Sequence, residues 1–258
     1  MRVVRLDGRP LDPSAPALSV DDPAVRWGEG LFETMRAGGG RVPLLERHLA
    51  RLAASARTLG LEGLPSADEV RTEVAAALAA FGGGPARVRL TVTPRPTLLV
   101  EVAGRSDTPP QTTAIALRGA WLPGDAMAEH KSLSYARLRM AQRRAEWAGA
   151  GHALLLDEDG RMGEAAVANV FCAVGGELVT APVRGLLPGV ARAVVLERVG
   201  AREEAAAEDA WRAAPEIVVV NAVRGAQAVV SVNGTPVGDG RPGPWARRIA
   251  EALEAANS

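Results

Sequence analysis

Lys131 is the residue whose chemistry stands out in this sequence. It is the single lysine among 30 basic residues, and the other 29 are arginines. A primary amine can form a Schiff base with a carbonyl group, whereas a guanidinium cannot. The only tyrosine, Tyr135, follows four residues later, and in a helix this spacing would put both side chains on one face. We therefore treat Lys131 as a candidate nucleophile, with an ordinary solvated lysine as the alternative.

Pyridoxal phosphate is the cofactor that uses an amine of this kind. A helix start near Lys131 and burial in a cleft would both disfavour its ammonium form and so lower its pKa. The cofactor also needs an acid at its pyridine nitrogen and an anion site for its phosphate. Glu164 is the candidate acid, and a helix start at Gly189–Ala191 together with Arg51 is the candidate phosphate site. The plainer alternatives are a solvated hairpin charge, an ordinary helix start and a surface arginine.

The composition fits a folded protein that binds a small molecule. Acidic and basic residues balance at 30 each, which argues against nucleic acid or a membrane surface bound by charge alone. Apolar residues make up 47% of the 258, enough for one large or two modest domains. Cys172 is the single cysteine, so an intrachain disulfide is impossible and a reducing cytoplasm is expected. We also expect no signal peptide, no membrane span and no metal site.

The first part of the chain predicts a small α/β domain, residues 1–103. Apolar residues recur at intervals of three and four between 43 and 59, which predicts a helix. Ser66 and Glu69 have the spacing of a capping box for a second helix at 67–81. Strands are predicted at 2–6, 31–37, 88–92 and 97–102, with a hairpin turn at 38–40.

The rest of the chain predicts a second domain, residues 112–258, that carries Lys131. The polar stretch 104–111, which holds two prolines, is the predicted linker. The turn at Asp157–Gly160 places Glu164 just before a strand, where a carboxylate can be aimed inward. Helices are predicted at 134–147, 190–199, 205–213 and 244–256. Strands are predicted at 113–117, 153–156, 166–174, 177–180 and 217–221.

Five ordered segments resemble those of the fold-type IV pyridoxal-phosphate enzymes. This is the class IV aminotransferase group of branched-chain and D-amino-acid transaminases and 4-amino-4-deoxychorismate lyases. The segments are 26–36 (RWGEGLFETMR), 46–52 (ERHLARL), 131–135 (KSLSY), 163–171 (GEAAVANVF) and 186–192 (LLPGVAR). The resemblance implies an α/β (α+β) protein with a small N-terminal domain and a larger α/β pseudobarrel, with the cofactor between them in a homodimer.

The same resemblance implies a role for each matching residue. Lys131 would carry the cofactor as a Schiff base and shuttle the proton, while Glu164 would pair with the pyridinium nitrogen. Tyr135 would lie near the phenolate edge of the cofactor. The phosphate would be held by Arg51, Val190, Ala191 and Ala222. Because the two alanines stand where many relatives have Thr or Ser, the phosphate would depend on backbone amides and on the arginine.

Within the family, the run Asn221–Gly225 looks more like the lyases. Thr34 stands where branched-chain transaminases typically have a glycine, and residues 93–96 replace the Arg-x-His pair of the D-amino-acid enzymes. The preferred interpretation is a lyase that converts 4-amino-4-deoxychorismate into 4-aminobenzoate and pyruvate for folate precursor synthesis. The candidate substrate residues are Arg26, Trp27, Arg36, Arg95, Asn221 and Arg224.

Two other functions remain open at the level of sequence. One is a class IV transaminase that acts on branched-chain or D-amino acids, and the other is a relative that binds pyridoxal phosphate without turnover. In each case we expect a cytoplasmic homodimer with no nucleic-acid or membrane partner, and for the two enzymes a small amino substrate.

Overall fold

The computed structural model describes residues 1–95 and 97–257, so Pro96, the last residue of the 93–96 run, and Ser258 lie outside the described residues. The chain divides into two compact units. The first comprises Met1–Asp107 with His130–Tyr135, and the second comprises Thr108–Glu129 with Ala136–Ser258. Each unit combines a sheet with helices, so the predicted α/β (α+β) class is confirmed.

The first unit is built on a five-stranded antiparallel sheet. Its elements are β1 (Arg2–Leu6), β2 (Arg9–Pro10), α1 (Pro23–Trp27), β3 (Leu31–Ala37), α2 (Leu45–Thr58), α3 (Ala67–Phe81), β4 (Ala86–Thr93) and β5 (Thr97–Gly104). The strand order is β2-β1-β5-β4-β3, so β3 lies at an edge. An edge strand has backbone groups on one side that other strands of the sheet do not use.

The helices of the first unit share one apolar core with its sheet. α2 packs against β3, and α3 packs against β1 and β5. The start of α3 is fixed by the predicted capping box, because Ser66 Oγ accepts from the Glu69 N–H and the glutamate carboxylate accepts from the Ser66 N–H at 2.7 Å. The fully buried core side chains include Met35, Val74, Ala77, Val88, Leu90, Val100 and Val102.

The second unit is built on a nine-stranded mixed sheet that curls into a half-barrel. Its elements are β6 (Gln111–Leu117), a 3₁₀ turn (Ala126–Glu129), α4 (Ala136–Trp147), β7 (His152–Leu156), β8 (Met162–Ala165), β9 (Asn169–Val174), β10 (Glu177–Thr180), α5 (Val190–Arg198), β11 (Arg202–Glu203), α6 (Glu208–Arg212), β12 (Ile217–Asn221), β13 (Gly225–Val232), β14 (Thr235–Pro236) and α7 (Pro244–Asn257). The strand order is β11-β10-β9-β12-β13-β6-β7-β8, with β14 on β13.

Hydrophobic periodicity predicted many of these elements well. The bounds of β1, β3, α3, β10 and β12 agree with the prediction, and α2 and α7 differ from it by one or two residues. The sequence missed α1, which is only five residues long, and β13, whose Gly and Ala residues give little alternation between apolar and polar positions.

Two predicted elements are wrong in detail. The glycines at 38–40 do not close a strand hairpin: Gly38 bridges only to Arg41, the chain continues into α2, and the partner of β3 is β4. The predicted strand 166–174 begins at Asn169, because a tight turn closed by the Ala165 and Ala168 backbone separates it from β8. Glu164 therefore lies within a short strand of its own.

Candidate active site

The segment around Lys131 is extended and lies along the start of β3. The Phe32 N–H donates to the Lys131 carbonyl at 2.9 Å, and the Leu133 N–H donates to the Gly30 carbonyl at 3.0 Å. The helix that would have put Lys131 and Tyr135 on one face does not form at 131–135, because the free side of an edge strand binds this backbone instead. α4 begins only at Ala136. Because a helix dipole acts mainly within the first turn of the helix, the dipole of α4 has little effect on the Lys131 amine.

The Lys131 segment packs closely against the backbone at Gly30. Gly30 has a φ of +139°, and a Cβ there would lie 2.7 Å from the Val92 carbonyl oxygen and 2.8 Å from Leu133 Cδ1. On the other side of the lysine, His130 Nδ1 lies 3.0 Å from Ser55 Oγ on α2. The chain thus contacts other parts of the first unit on both sides of the lysine, through the His130 side chain and the Leu133 backbone.

The aromatic ring of Phe32 brings the only lysine and the only tyrosine together. Lys131 Nζ lies 4.4 Å from the ring centroid, and Tyr135 packs edge-on against the same ring at 5.1 Å between centroids. Lys131 Nζ is also 5.5 Å from the Tyr135 centroid. The two predicted residues are neighbours, but through this shared ring rather than through a helix face.

Arg89 is a third residue at this ring, and the sequence analysis missed it. Its Cζ atom lies 3.9 Å over the Phe32 ring, and burial lowers the pKa of its guanidinium. Arg89 on β4 is paired with Thr34 on β3. Thr34 is the next residue after Phe32 on the same face of the sheet, so Arg89 and Phe32 share that face. Arg36 projects from this face as well, opposite Arg87. Because side chains alternate between the two faces of a strand, the sequences of β3 and β4 could have indicated that these side chains share one face.

Arg51 lies in a buried ionic cluster with Glu33 and His48. The Arg51 Nε donates to Glu33 Oε1 at 2.9 Å and its Nη2 donates to Oε2 at 2.6 Å, while His48 Nδ1 lies 2.7 Å from Oε2. The exposed side-chain fractions are 10% for Arg51, 1% for Glu33 and 2% for His48. Burial by itself would raise the pKa of Glu33, but the Arg51 charge and hydrogen bonds with His48 and Arg51 outweigh it and lower the pKa to about 2.

Glu164 is a buried carboxylate of the second unit. It lies on β8 opposite Leu155 of β7 and is 6% exposed. The Asn169 Nδ2 donates to Glu164 Oε2 at 3.3 Å and to the Leu187 carbonyl at 3.0 Å. The solvated hairpin charge is thus excluded for this residue. Asn169 joins it to the loop before α5, a role the sequence analysis did not assign.

The start of α5 is packed closely against that asparagine. A Cβ on Gly189, the residue before the helix, would lie 1.9 Å from Asn169 Oδ1, so only glycine fits. Val190 and Ala191 open the helix and are buried. Arg192 fixes the same end, because its Nη2 donates to the Ala181 carbonyl at 2.8 Å and to a Glu203 oxygen at 2.6 Å.

Asn221 shapes the turn between β12 and β13. Its Oδ1 accepts the N–H of Val223 at 3.1 Å and of Arg224 at 2.7 Å, and its Nδ2 donates to the Val167 carbonyl at 3.2 Å. These bonds assign the Asn221 side chain to the turn. Ala222 lies at the start of this turn and is half-buried, and the side chain of Arg224 is exposed.

The remaining predicted substrate residues lie near the surface of the first unit. Arg26 pairs with Asp21 at 2.8 Å, and Arg95 donates to Ser19 Oγ at 3.3 Å. Trp27 ends α1 and its side chain is 64% exposed. Both arginines thus contact the loop that precedes α1.

Two kinds of feature are missing from the described ranges, 1–95 and 97–257. They contain no group of three or more His, Cys, Asp or Glu side chains placed to hold a metal ion. Over the same residues, no helix has the length and apolar character needed to span a bilayer.

Comparison with known proteins gives a family match over most of the chain. The model of the amino-transferase class IV family matches residues 30–232. A bifunctional aminodeoxychorismate lyase / D-amino acid transaminase of Mycobacterium tuberculosis is 34% identical over 201 residues, 68% of this chain and 67% of that protein. A D-alanine aminotransferase of Bacillus licheniformis is 26% identical over 97% of this chain and 95% of its own length.

Solved structures agree with this match. The pyridoxal-phosphate-bound form of a hypothetical aminotransferase from Mycobacterium tuberculosis superimposes with a TM-score of 0.85 at 29% identity. The alignment covers 100% of this chain and 99% of the other. The chain therefore belongs to the class IV aminotransferase family of pyridoxal-phosphate-dependent enzymes.

Proposed function

We propose that this protein is a lyase that converts 4-amino-4-deoxychorismate into 4-aminobenzoate and pyruvate. The observation that carries the proposal is a pair of basic groups on one aromatic ring, with Lys131 Nζ at 4.4 Å and Arg89 Cζ at 3.9 Å from the Phe32 centroid. One group is a primary amine, and the other is a guanidinium that can hold a carboxylate. A substrate with an amino group and a carboxylate on one ring suits both.

Each unit holds residues that suit one part of pyridoxal phosphate. Lys131 is the single side-chain primary amine, and Glu164 is a buried carboxylate held by an asparagine. Because Gly189 has no Cβ, the chain can pass close to Asn169 just before α5. The N–H groups of Val190 and Ala191 lie at the start of that helix. Arg51 supplies a guanidinium for a phosphate group.

We assign each residue one task. Pyridoxal phosphate, when bound, supplies an aldehyde for amines and a ring that accepts an electron pair. Lys131 would hold the cofactor through its amine and would move the substrate proton. Glu164 keeps a proton at the pyridine nitrogen. Tyr135, Arg51 and the N–H groups at the start of α5 orient the cofactor.

The reaction itself needs only proton movements and one bond cleavage. Lys131 takes the proton from the substrate ring carbon that bears nitrogen, and the ether bond to the enolpyruvyl group breaks. The ring becomes aromatic as 4-aminobenzoate, and the departing enolpyruvate takes up a proton to become pyruvate. No oxidant, water or second substrate is consumed. The protein therefore has to bind one dianion and relay protons.

The distinction between lyase and transaminase draws on two further supports. The loop Asn221–Gly225 resembles the lyases, and the 34%-identical relative carries a lyase activity in its name, beside a D-amino acid transaminase activity that the runner-up shares. The runner-up is a D-amino-acid or branched-chain transaminase, which the D-alanine aminotransferase at 26% identity favours. For either activity we propose a homodimer, as the family resemblance implies, in the reducing cytoplasm that a single cysteine favours.

The test is a product assay with the purified enzyme and pyridoxal phosphate. With aminodeoxychorismate we expect equal amounts of 4-aminobenzoate, measured by fluorescence, and pyruvate, measured by coupled reduction. In separate reactions, D-alanine and branched-chain amino acids are offered with 2-oxoglutarate. Because D-alanine gives pyruvate on transamination, 4-aminobenzoate is the decisive product. Rapid amino-group transfer without any 4-aminobenzoate would move the assignment to the runner-up.

A further inference from the structure

We propose that Glu33 is a positioning residue for the phosphate of the cofactor, acting by holding the Arg51 guanidinium in one orientation. The inference rests on the cofactor assignment within the proposed function, but not on the choice between lyase and transaminase. It gives a role to a buried acid that none of the proposed proton movements uses.

The first step is the geometry of the pair. Both oxygens of Glu33 are engaged by the same guanidinium, through Nε at 2.9 Å and Nη2 at 2.6 Å. Two parallel bonds to a planar fork fix the plane of the guanidinium as well as its position. A single hydrogen bond would leave the plane free to rotate.

The second step is that the carboxylate is itself immobilised. Glu33 lies on β3 within the sheet, its side chain is 1% exposed, and His48 Nδ1 lies 2.7 Å from Oε2. His48 and Arg51 project from the same face of α2, three residues apart. The strand therefore sets where the arginine of the helix can point.

The fixed orientation of the Arg51 guanidinium and the negative charge of Glu33 have opposite effects on the affinity for a bound anion. The negative charge of Glu33 partly cancels that of Arg51 and so weakens attraction for a phosphate dianion. Fixing the guanidinium strengthens binding, since a long arginine side chain otherwise loses rotamer freedom when it binds. A residue that only neutralised a buried arginine would weaken phosphate binding, whereas a positioning residue strengthens it.

Glu33→Asp is the variant that isolates orientation. It keeps the negative charge and removes one methylene, so the carboxylate no longer reaches both guanidinium nitrogens from the rigid strand. Glu73→Asp is the matched control, because Glu73 is also a buried acid of the first unit with an arginine partner, Arg5, at 2.8 Å. A general effect of shortening a buried acid would appear in both variants.

The measurement is the equilibrium affinity of each apoprotein for pyridoxal phosphate and for pyridoxal, which lacks the phosphate. We expect Glu33→Asp to raise the Kd of pyridoxal phosphate about tenfold, the loss expected for a misaligned charge-assisted hydrogen bond. The Kd of pyridoxal should stay within about twofold, and Glu73→Asp should leave both ligands within that range. Far-UV circular dichroism confirms that each variant is folded.

A double-mutant cycle shows whether Glu33 acts through Arg51. In the Arg51→Ala background, Glu33→Asp should cause no further loss of pyridoxal phosphate affinity. If Glu33→Asp fails to fold, the same cycle is run with Glu33→Gln, for which weaker phosphate binding is again expected. Unchanged or tighter binding of pyridoxal phosphate in the Glu33 variant would overturn the proposal. If Arg51→Ala still weakened pyridoxal phosphate binding in that case, the cofactor assignment would stand and only the role of Glu33 would be lost.

Discussion

At the scale of single residues, Phe32 determines which side chains meet near the candidate nucleophile. A cation over an aromatic face gains about 0.5–2 kcal/mol, depending on how far it is desolvated. Two basic side chains, Lys131 and Arg89, lie within 4.4 Å of this ring centroid. The amine and a guanidinium thus contact the same ring, an arrangement suited to a substrate that carries both nitrogen and carboxylate.

Arg89→Ala is expected to raise the KM for aminodeoxychorismate by about 10- to 100-fold, with a smaller effect on kcat. The reason is loss of a charge-assisted bond that the substrate makes in ground and transition states alike. Arg87→Ala is the control, because Arg87 lies on the same face of β4 but is exposed and bonded to Glu101 at 2.6 Å. Equal kinetic effects of the two variants in a 4-aminobenzoate assay would remove Arg89 from the site.

Glu33 predicts a pH dependence of stability in the acid range. Its pKa in the folded protein is about 2, below the ordinary 4.5, so its ionised form stabilises the fold above about pH 4.5. This contribution is lost as the pH falls toward 2. The stability gap between wild type and Glu33→Gln should shrink over that window by on the order of 3 kcal/mol at most. Urea unfolding of the apoproteins measures it, and a gap independent of pH would contradict the assignment.

Residue composition identified Lys131, but it could not identify the residues around it. A single lysine among arginines is visible in the sequence itself. Glu33, Arg89 and Asn169 gain their significance from strand register and from a loop-to-helix contact, which depend on tertiary packing. The predicted Arg26 and Arg95 illustrate the converse, because motif position suggested them and the fold directs them to the loop before α1.

At the scale of elements, the edge of β3 organises the Lys131 segment. Gly30→Ala should lower the free energy of unfolding by about 1–3 kcal/mol, because its positive φ and its contacts with Val92 and Leu133 leave no room for a Cβ. The displaced Leu133 should also weaken cofactor binding. Gly38→Ala is the control at the far end of the same strand, where a Cβ would meet nothing within 4 Å.

Thermal and urea unfolding of both glycine variants decide this prediction. The free energy of unfolding of Gly38→Ala should stay within about 0.5 kcal/mol of the wild-type value. The added methyl group meets nothing in the folded protein and slightly restricts the unfolded chain, which adds a little stability. A Gly30→Ala protein as stable as Gly38→Ala would mean that the close approach at β3 is easily relieved.

Local sequence signals predicted elements well where one element decides its own structure. The capping box predicted the start of α3 and the glycines at 82–84 predicted its end. Local signals do not determine the conformation of residues 131–135, because it comes from hydrogen bonds to β3, about a hundred residues away in sequence. A pairing at that separation leaves no periodic pattern in the segment itself.

At the scale of the whole molecule, the chain alternates between its two units around the lysine. It enters the first unit at His130 and returns to the second at Ala136. The short excursion carries Lys131 onto the sheet formed by the first hundred residues, while Glu164 and the start of α5 belong to the second unit. The predicted domain limits of 1–103 and 112–258 remain a prediction.

The most direct test of the account is the position of the covalent link to the cofactor. The protein is loaded with pyridoxal phosphate, reduced with borohydride, digested and analysed by mass spectrometry. Because Lys131 is the single lysine, the only other primary amine is the N-terminus. We predict one phosphopyridoxyl group per chain on Lys131, and none in Lys131→Arg. A label on the N-terminal amine, or full labelling of Lys131→Arg, would contradict the account.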